Sequence, residues 1–150
     1  MGFNIVLFEP EIPNNTGNIG RLALATNSVL HLVGPLGFEL TDSKLKRAGL
    51  DYWKYLSLQF YNNIEEFYST NHNKNLIYLS SHATRSYYEI SFEENMFLVF
   101  GKESQGLPKE IIERNHNNSF KIPMYSEKIR SLNLANAVSI VVYEGLRNLE

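Results

Sequence analysis

The sequence predicts an α/β fold built on a mostly parallel sheet. Short apolar runs alternate along the chain with amphipathic segments, and several of the runs end at a glycine or a proline. Short apolar runs are typical of buried strands, whereas apolar residues three to four positions apart are typical of helices. Regular alternation of strand and helix favours a parallel sheet with helices covering its faces.

The strands are predicted from apolar runs that end at residues unfavourable to a sheet. The first run, Asn4–Phe8, is followed by Glu9-Pro10, and the second run, Leu30–Val33, is followed by Gly34-Pro35. Proline cannot donate to the hydrogen-bond ladder of a sheet, so each run is expected to stop there. The remaining strands are predicted at Leu56–Tyr61, Leu76–Ser80, Phe97–Phe100 and Phe120–Ile122.

The helices are predicted from apolar periodicity and from residues that favour a helix start. Leu134–Leu149 repeats apolar residues at helical spacing, and Pro108 suits the first turn of a helix that ends at Arg114. The other helices are predicted at Asn18–Thr26 and Ile64–Ser69. The polar stretches Asn71–Asn75 and Asn115–Asn118 are interpreted as solvated loops.

Composition favours one globular domain over residues 1–150. The chain is 43% hydrophobic and 13% aromatic, which is enough to build a core. It contains no cysteine, and its histidines lack the spacing of metal ligands, so we expect no metal. The net charge of −2 argues against binding nucleic acid by bulk charge, so RNA would need a local basic patch. Neither a signal peptide nor a membrane-spanning run is recognisable, so we expect a cytoplasmic protein.

The first candidate segment, Asn14–Arg21, follows the first strand, at the edge where parallel sheets bind ligands. Asn15 and Thr16 suit helix N-caps, and Gly17 permits close approach of the backbone to a ligand. A capped loop-to-helix junction without a ligand explains the same residues. Arg21 favours a ligand, because an arginine within an apolar helix is costly unless a phosphate or an alkoxide partners it.

The second candidate segment, Phe100–Pro108, is a glycine-bounded loop between an apolar strand and a helix. Such a loop suits a nucleotide-like ligand. It is not a phosphate-binding P-loop, since no Gly-Lys-Ser/Thr ends it, nor a nucleophile elbow, since Ser104 lacks the flanking glycines. Glu103 within it is either a functional group or a simple exposed carboxylate.

The third candidate segment comprises Ile122–Met124 and Ser131–Ala137, where the last helix begins. Ser131 and Asn133 are suited to capping that helix, which requires no ligand. The free backbone N–H groups of a helix start also bind ligands. Both interpretations stay open from these residues alone.

Taken in this order, the three segments resemble the motifs of the SPOUT class of RNA methyltransferases, on its SpoU side. The motifs are Asn-x-Gly-Asn-x-x-Arg, Gly-x-Glu-x-x-Gly-Leu, and Ile-Pro-Met followed by Ser-Leu-Asn. Stretches at Glu9–Pro13, Arg47–Tyr52 and Asn136–Ser139 extend the resemblance over essentially the whole chain. They are similar to members of the class that methylate the wobble nucleotide, cytidine or uridine 34, of tRNA.

The resemblance implies an α/β-knot fold with a C-terminal trefoil knot, as a single-domain homodimer whose cofactor sites lie near the subunit interface. It implies methyl transfer from S-adenosylmethionine to the ribose 2′-hydroxyl of the wobble nucleotide of tRNA. The residues expected to hold the cofactor are Leu79, Gly101, Ile122, Met124, Ser131, Leu132 and Asn133. Gly101 is expected to let the backbone approach the cofactor. At position 102 this chain has a lysine, where relatives often have a small residue or a proline. The glycines and the glutamate of the motif are unchanged.

The resemblance also places Arg21, Asn15 and Glu103 at the reacting centre. Arg21 would activate the 2′-hydroxyl. A guanidinium is too basic to accept its proton, so we expect Arg21 to stabilise the developing alkoxide.

RNA contact is predicted where basic residues lie beside aromatic ones. Lys44, Lys46 and Arg47 precede Tyr52 and Trp53 in the sequence. Aromatic rings stack on unpaired bases, and basic side chains bind the phosphates. A solvated helix with the aromatics packed beneath it explains the same pattern. Arg130 is a further candidate for contact with tRNA.

The dimer contact is predicted on the final helix. This helix has more apolar and aromatic surface than packing against one neighbouring element needs in a small domain. The residues concerned are Val138, Val141, Val142 and Tyr143.

Two other functions are open from the sequence. One is ribose methylation at another position of tRNA or of ribosomal RNA. The other is a knotted RNA-binding module without catalysis, against which the intact set Asn15, Arg21, Glu103, Ser131 and Asn133 argues.

Overall fold

The chain alternates β-strands with helices, as its apolar runs predict. The computed structural model describes residues 2–41, 43, 47 and 52–150. The strands are β1 (Asn4–Phe8), β2 (Val29–Val33), β3 (Leu58–Tyr61), β4 (Leu76–Leu79), β5 (Arg85–Ser86), β6 (Phe97–Phe100) and β7 (Ser119–Lys121). The helices include α1 (Pro13–Ala25), α2 (Ile64–Asn71), α3 (Lys109–Arg114) and α4 (Leu134–Leu149). Short 3-10 turns lie at Trp53–Tyr55, Tyr87–Glu89 and His116–Asn118.

The strands of the described residues form a 7-stranded sheet in the order β3-β2-β1-β6-β4-β7-β5. All of its strand pairs are parallel. The predicted α/β fold with a mostly parallel sheet is therefore confirmed, while the trefoil knot stays an expectation of the resemblance. Parallel pairing brings the carboxyl ends of β1, β6, β4 and β7 to one edge, where a ligand site is expected.

Helices cover both faces of the sheet, so successive strand residues are buried on opposite sides. In β1, Ile5 belongs to the core shared with α1 and α4, whereas Val6 belongs to the core on the other face. Side chains alternate between the faces of a strand, and a sheet covered on both faces therefore requires unbroken apolar runs. This explains why the strands could be recognised from short continuous runs. No helix among the described residues is long and apolar enough to cross a membrane.

The structure differs from the sequence prediction mainly at element ends. Helix α1 begins at Pro13 rather than at Asn18, because proline is well placed at the first position of a helix. Strand β5 was not predicted, since two residues carry no periodicity. Asn71 is not in a solvated loop: it ends α2 and is buried, and its amide donates hydrogen bonds to Tyr61 Oη and to the carbonyl of Phe67.

The apolar stripe of α4 is explained within the chain. Val138, Val141 and Val142 are fully buried against the sheet and α1. Their assignment to a dimer contact is therefore wrong, because periodicity alone cannot separate a core stripe from an interface stripe. Tyr143, the fourth residue of that prediction, is 54% exposed.

His31 lies at the centre of a buried hydrogen-bond chain on β2. Its Nε2 lies 2.8 Å from Asn4 Oδ1, an acceptor, so Nε2 carries the proton and donates. Its Nδ1 then accepts from the Tyr61 hydroxyl at 3.0 Å, and that hydroxyl accepts from Asn71 Nδ2 at 3.2 Å. Burial lowers the pKa of His31 to about 4, so the neutral ring is the folded form.

We expect His31 to limit the stability of the fold in acid. The pKa of an unfolded histidine is about 6.5. As the pH falls below this value, the unfolded chain therefore binds a proton at His31, whereas the folded chain does not until the pH nears 4. The stabilisation that the neutral His31 ring contributes to the fold is complete above about pH 6.5 and is lost as the pH falls toward 4. The His31 contribution to the free energy of unfolding should drop by about 2 kcal/mol between pH 7 and pH 5.

Denaturant titration of the wild type and of His31→Gln at both pH values measures this effect, because both chains share every other titrating group. The wild type should lose more stability than the variant. Equal losses in the two proteins would contradict the prediction.

Candidate functional site

A cavity of about 500 Å³ opens at the carboxyl edge of the sheet. Its walls come from the loops after β4, β6 and β7, from the start of α4, and from the segment that begins α1. The three candidate segments of the sequence therefore meet at one place, where a parallel sheet is expected to bind its ligand.

Every residue predicted to hold the cofactor lines this cavity. The set is Leu79, Gly101, Ile122, Met124, Ser131, Leu132 and Asn133. Leu79 ends β4, and Ile122 and Met124 follow β7, so their apolar side chains form walls around the opening. An apolar slot with a few polar groups at its rim suits a purine nucleoside.

Gly101 is required by the loop that it begins. Lys102 pairs with Gly106 across this loop, and the Gly106 N–H donates to the Lys102 carbonyl at 2.8 Å. A Cβ atom at Gly101 would lie 2.1 Å from the carbonyl carbon of Gly106, which is backbone and cannot yield. The glycine therefore has a role in closing the loop, besides the close approach to a cofactor that the sequence predicts.

A chain of hydrogen bonds joins the three candidate segments around Glu103. The Glu103 carboxylate accepts from the Glu11 N–H at 2.8 Å, from the Ile12 N–H at 3.0 Å and from Asn15 Nδ2 at 3.2 Å. Asn15 Oδ1 accepts from Asn133 Nδ2 at 3.1 Å. Asn133 in turn caps α4, because its Oδ1 accepts from the Asn136 N–H at 3.2 Å.

This chain of hydrogen bonds excludes one of the interpretations that the sequence left open. Glu103 is not a simple exposed carboxylate, since it is half-buried and accepts three hydrogen bonds. Asn133 does cap its helix, as predicted, and it also contacts Asn15. With their hydrogen-bonding groups engaged in this way, Asn15 and Glu103 are suited to organise the cavity.

Arg21 lies outside the cavity. Its side chain is exposed on α1, and its guanidinium carbon lies 5.5 Å from the centre of the Tyr52 ring, within cation–π range. The prediction that Arg21 occupies a costly apolar environment is therefore wrong. Helix α1 packs one face on α4 and the sheet, and Arg21 lies on another face.

The predicted RNA-binding residues are only partly described. Arg130 is exposed and lines the cavity, and Arg47 is exposed, whereas Lys44 and Lys46 lie outside the described residues. Among the aromatic residues of this predicted RNA-binding pattern, Trp53 packs inward against α1. Its ring lies so close to Gly20 that a Cβ atom there would come within 2.8 Å of it.

Several lining residues were not singled out from the sequence. Outside the three candidate segments these are Ile12, Ser80, Ser81 and His82; within the segments they are Phe100, Lys102, Ser104, Gln105, Gly106, Leu134 and Ala137. Most of them directly follow β4 or β6, so their position after a strand was a usable signal. His82 is exposed at the cavity rim. Within the described ranges, no group of three or more His, Asp or Glu side chains is arranged to hold a metal ion.

The chain is similar to known proteins over nearly its whole length. A profile of the SpoU rRNA Methylase family matches residues 2–143. A Saccharophagus degradans protein named tRNA (cytidine(34)-2′-O)-methyltransferase is 49% identical over 148 residues, which cover 98% of this chain and 96% of that protein.

Two solved structures have a similar fold. One, described as structural insights into the 2-OH methylation of C/U34 on tRNA, has a TM-score of 0.93 at 43% identity and covers 98% of this chain and 95% of its own. The other, the rRNA methyltransferase of Sinorhizobium meliloti with bound AdoMet, has a TM-score of 0.86 at 25% identity. It covers 99% of this chain and 57% of its own.

We expect Glu103→Gln to destabilise the fold. A glutamine offers one acceptor oxygen where the carboxylate offers two, and it turns an NH₂ group toward donors that stay unsatisfied. Leaving such donors without a partner costs about 1–3 kcal/mol in the free energy of unfolding.

Urea titration measures the effect, with Glu113→Gln as the matched control because Glu113 is exposed on α3. The control should stay within about 0.5 kcal/mol of the wild type. Equal stability of the two variants would show that the Glu103 carboxylate does not organise the site.

Proposed function

The chain belongs to the SpoU rRNA Methylase family, and from this premise we propose that it methylates the wobble nucleotide of tRNA. The reaction transfers the methyl group of S-adenosylmethionine to the ribose 2′-hydroxyl of cytidine or uridine 34. The observation that carries the proposal is the single cavity in which the three motif segments meet. The relatives whose descriptions give this activity match 98% of the chain.

The cavity fits an adenosine-bearing cofactor. Its volume of about 500 Å³ and its walls at Leu79, Ile122 and Leu132 suit a purine ring, while Ser131 and Asn133 offer polar groups at the rim. S-Adenosylmethionine, when bound, would supply a methyl group activated by its sulfonium, with S-adenosylhomocysteine as the leaving group. The protein then contributes orientation of the two reactants and stabilisation of charge.

We assign Asn15, Glu103 and Asn133 to the organisation of the cavity, and Arg21 to the 2′-oxygen. The three organising residues form one hydrogen-bond chain across the cavity wall. A guanidinium is almost always protonated, so Arg21 would stabilise the alkoxide rather than remove the proton. Arg21 is exposed and lines no part of its own cavity, so we propose that a second subunit brings it to the reacting atoms.

We propose a cytoplasmic homodimer in which Arg21 of one subunit serves the cavity of the other. Exposed apolar side chains on and before α4 support the dimer: Tyr125 is 90% exposed, Ile129 56% and Tyr143 54%. Tyr125 and Ile129 lie on the same stretch of chain as the cavity residues Arg130 and Ser131, so a partner bound there would adjoin the cavity. The tRNA would contact Arg130 at the cavity rim and Arg47 on the surface.

The proposed function predicts ribose methylation at position 34 by the purified protein. We expect tRNA transcripts with cytidine or uridine 34 to gain one 2′-O-methyl group in the presence of S-adenosylmethionine and excess EDTA. Gly101→Ala should weaken cofactor binding at least tenfold, because its Cβ atom forces the loop to move.

Mass-spectrometric mapping of the tRNA and calorimetric titration of the cofactor measure these two outcomes. Methylation at another position would reassign the target. Cofactor binding without any methylation of tRNA or ribosomal RNA would indicate a module that binds RNA without catalysis.

A mixed dimer tests the role of Arg21. We expect Arg21→Ala to keep cofactor affinity within about threefold and to lose about a hundredfold to a thousandfold in the single-turnover rate, as is typical when one preorganised donor is removed. Light scattering should give twice the chain mass of 17.3 kDa.

In a heterodimer of Arg21→Ala with Gly101→Val, the intact cavity faces a partner that retains Arg21. Differently tagged subunits allow the heterodimer to be isolated, and it should recover about half the wild-type activity if Arg21 acts across the interface. An inactive heterodimer would place Arg21 in its own subunit's site, and normal turnover by the Arg21→Ala homodimer would remove it from catalysis.

A further inference from the structure

Two reciprocal hydrogen bonds join the loop after β1 to the loop after β6. The Glu11 N–H donates to Glu103 Oε1 at 2.8 Å, and the Ser104 N–H donates to Glu11 Oε1 at 2.8 Å. We call Glu11, Glu103 and Ser104 the clasp. Glu103 and Ser104 line the cavity, whereas Glu11 supports it from outside.

The clasp holds the exposed end of the cofactor loop. The base of this loop is fixed by β6 and by the pairing of Lys102 with Gly106. Its end, at Ser104 and Gln105, is exposed, and the Ser104 backbone is held by the Glu11 carboxylate. The Glu11 bond therefore restrains the part of the loop that the sheet does not.

The clasp also fixes the start of α1. Ile12, at the N-cap position of α1, makes no side-chain capping bond, and its N–H donates instead to Glu103. Ile12 and Asn15, from the same segment, line the cavity. Movement at Glu11 would therefore shift two rim residues together with the loop end.

The charge of Glu11 strengthens this contact. Hydrogen bonds from Ser104 hold the pKa of the Glu11 carboxyl below its usual range, and the nearby charge of Lys102 lowers it further. Glu11 is thus ionised at neutral pH, and hydrogen bonds to an ionised acceptor are shorter and stronger than neutral ones.

We propose that Glu11 is a positioning residue for methyl transfer, because it fixes the end of the cofactor loop against the start of α1 at the cavity rim. This role rests on the proposed function. The apolar slot at Leu79, Gly101 and Ile122 does not depend on Glu11, so the cofactor still binds without it. The ribose and the methyl group lose their alignment, and small misplacements at a reacting centre are costly in rate.

The test compares Glu11→Ala, Glu11→Gln and the matched control Glu9→Gln. Glutamine at position 11 keeps an acceptor oxygen for the Ser104 N–H, whereas alanine does not. Glu9→Gln removes a neighbouring carboxylate with the same change in charge, and its ion pair with Lys102, at 3.6 Å and partly exposed, contributes little.

Three measurements are made on each full-length protein: cofactor affinity, single-turnover methylation of tRNA, and hydrogen exchange of the two loops. Glu11→Ala should bind the cofactor within about threefold of the wild type and lose roughly tenfold to a hundredfold in rate. Amide exchange should accelerate in residues 9–16 and 101–107 and stay unchanged in β1 and β6. Glu11→Gln should recover most of the rate, and Glu9→Gln should match the wild type.

Several outcomes would overturn the proposal. Normal turnover by Glu11→Ala would do so, and so would a loss of stability, affinity and rate together that Glu11→Gln does not restore. If Glu11→Ala does not fold, Glu11→Asp gives the same test. Aspartate keeps the negative charge, but its shorter side chain places the carboxylate farther from the Ser104 N–H. If the wild type transfers no methyl group, the proposed function fails, and unchanged exchange in Glu11→Ala would then overturn the clasp separately.

Discussion

The site depends on one carboxylate that accepts hydrogen bonds from a distant part of the chain. Glu103 binds the backbone N–H groups of Glu11 and Ile12, which precede it by about ninety residues. Those donors lie at the start of α1, where a helix leaves N–H groups free and favours negative charge. Through Asn15 the same contact reaches Asn133 and the start of α4. One side chain thus fixes the relative position of two helices and a loop.

The parallel sheet explains why this contact can form at all. Strands β1, β6, β4 and β7 share one carboxyl edge, so the loops that follow them project into the same space. The loops after β1, β4 and β6 are short, and each is held at its base by a buried strand. The loops need few bonds among themselves to become a fixed wall, because the sheet has already set their separation.

The sequence was most informative where function depends on position after a strand. The resemblance to the SPOUT class predicted Leu79, Gly101 and Ile122, at or just after strand ends, as cofactor residues, and each lines the cavity. The sequence was least informative about which face of a helix is buried. Arg21 and Val141 both lie on helices with apolar periodicity, yet one is exposed and the other fully buried, as the packing of α1 on α4 decides. The partners of Glu103 were also beyond prediction, since two of its donors are backbone groups that any residue would supply.

Gly101 bears on how sequence variation at this site should be understood. The space beside its Cα is filled by the backbone of Gly106 and Leu107, not by a side chain that could be exchanged. Any protein that closes this loop in the same way must keep glycine there, whether or not it still binds a nucleotide. Invariance at this position in a set of sequences would therefore report loop geometry, and a descendant that had lost its chemistry would carry the same glycine as an active enzyme.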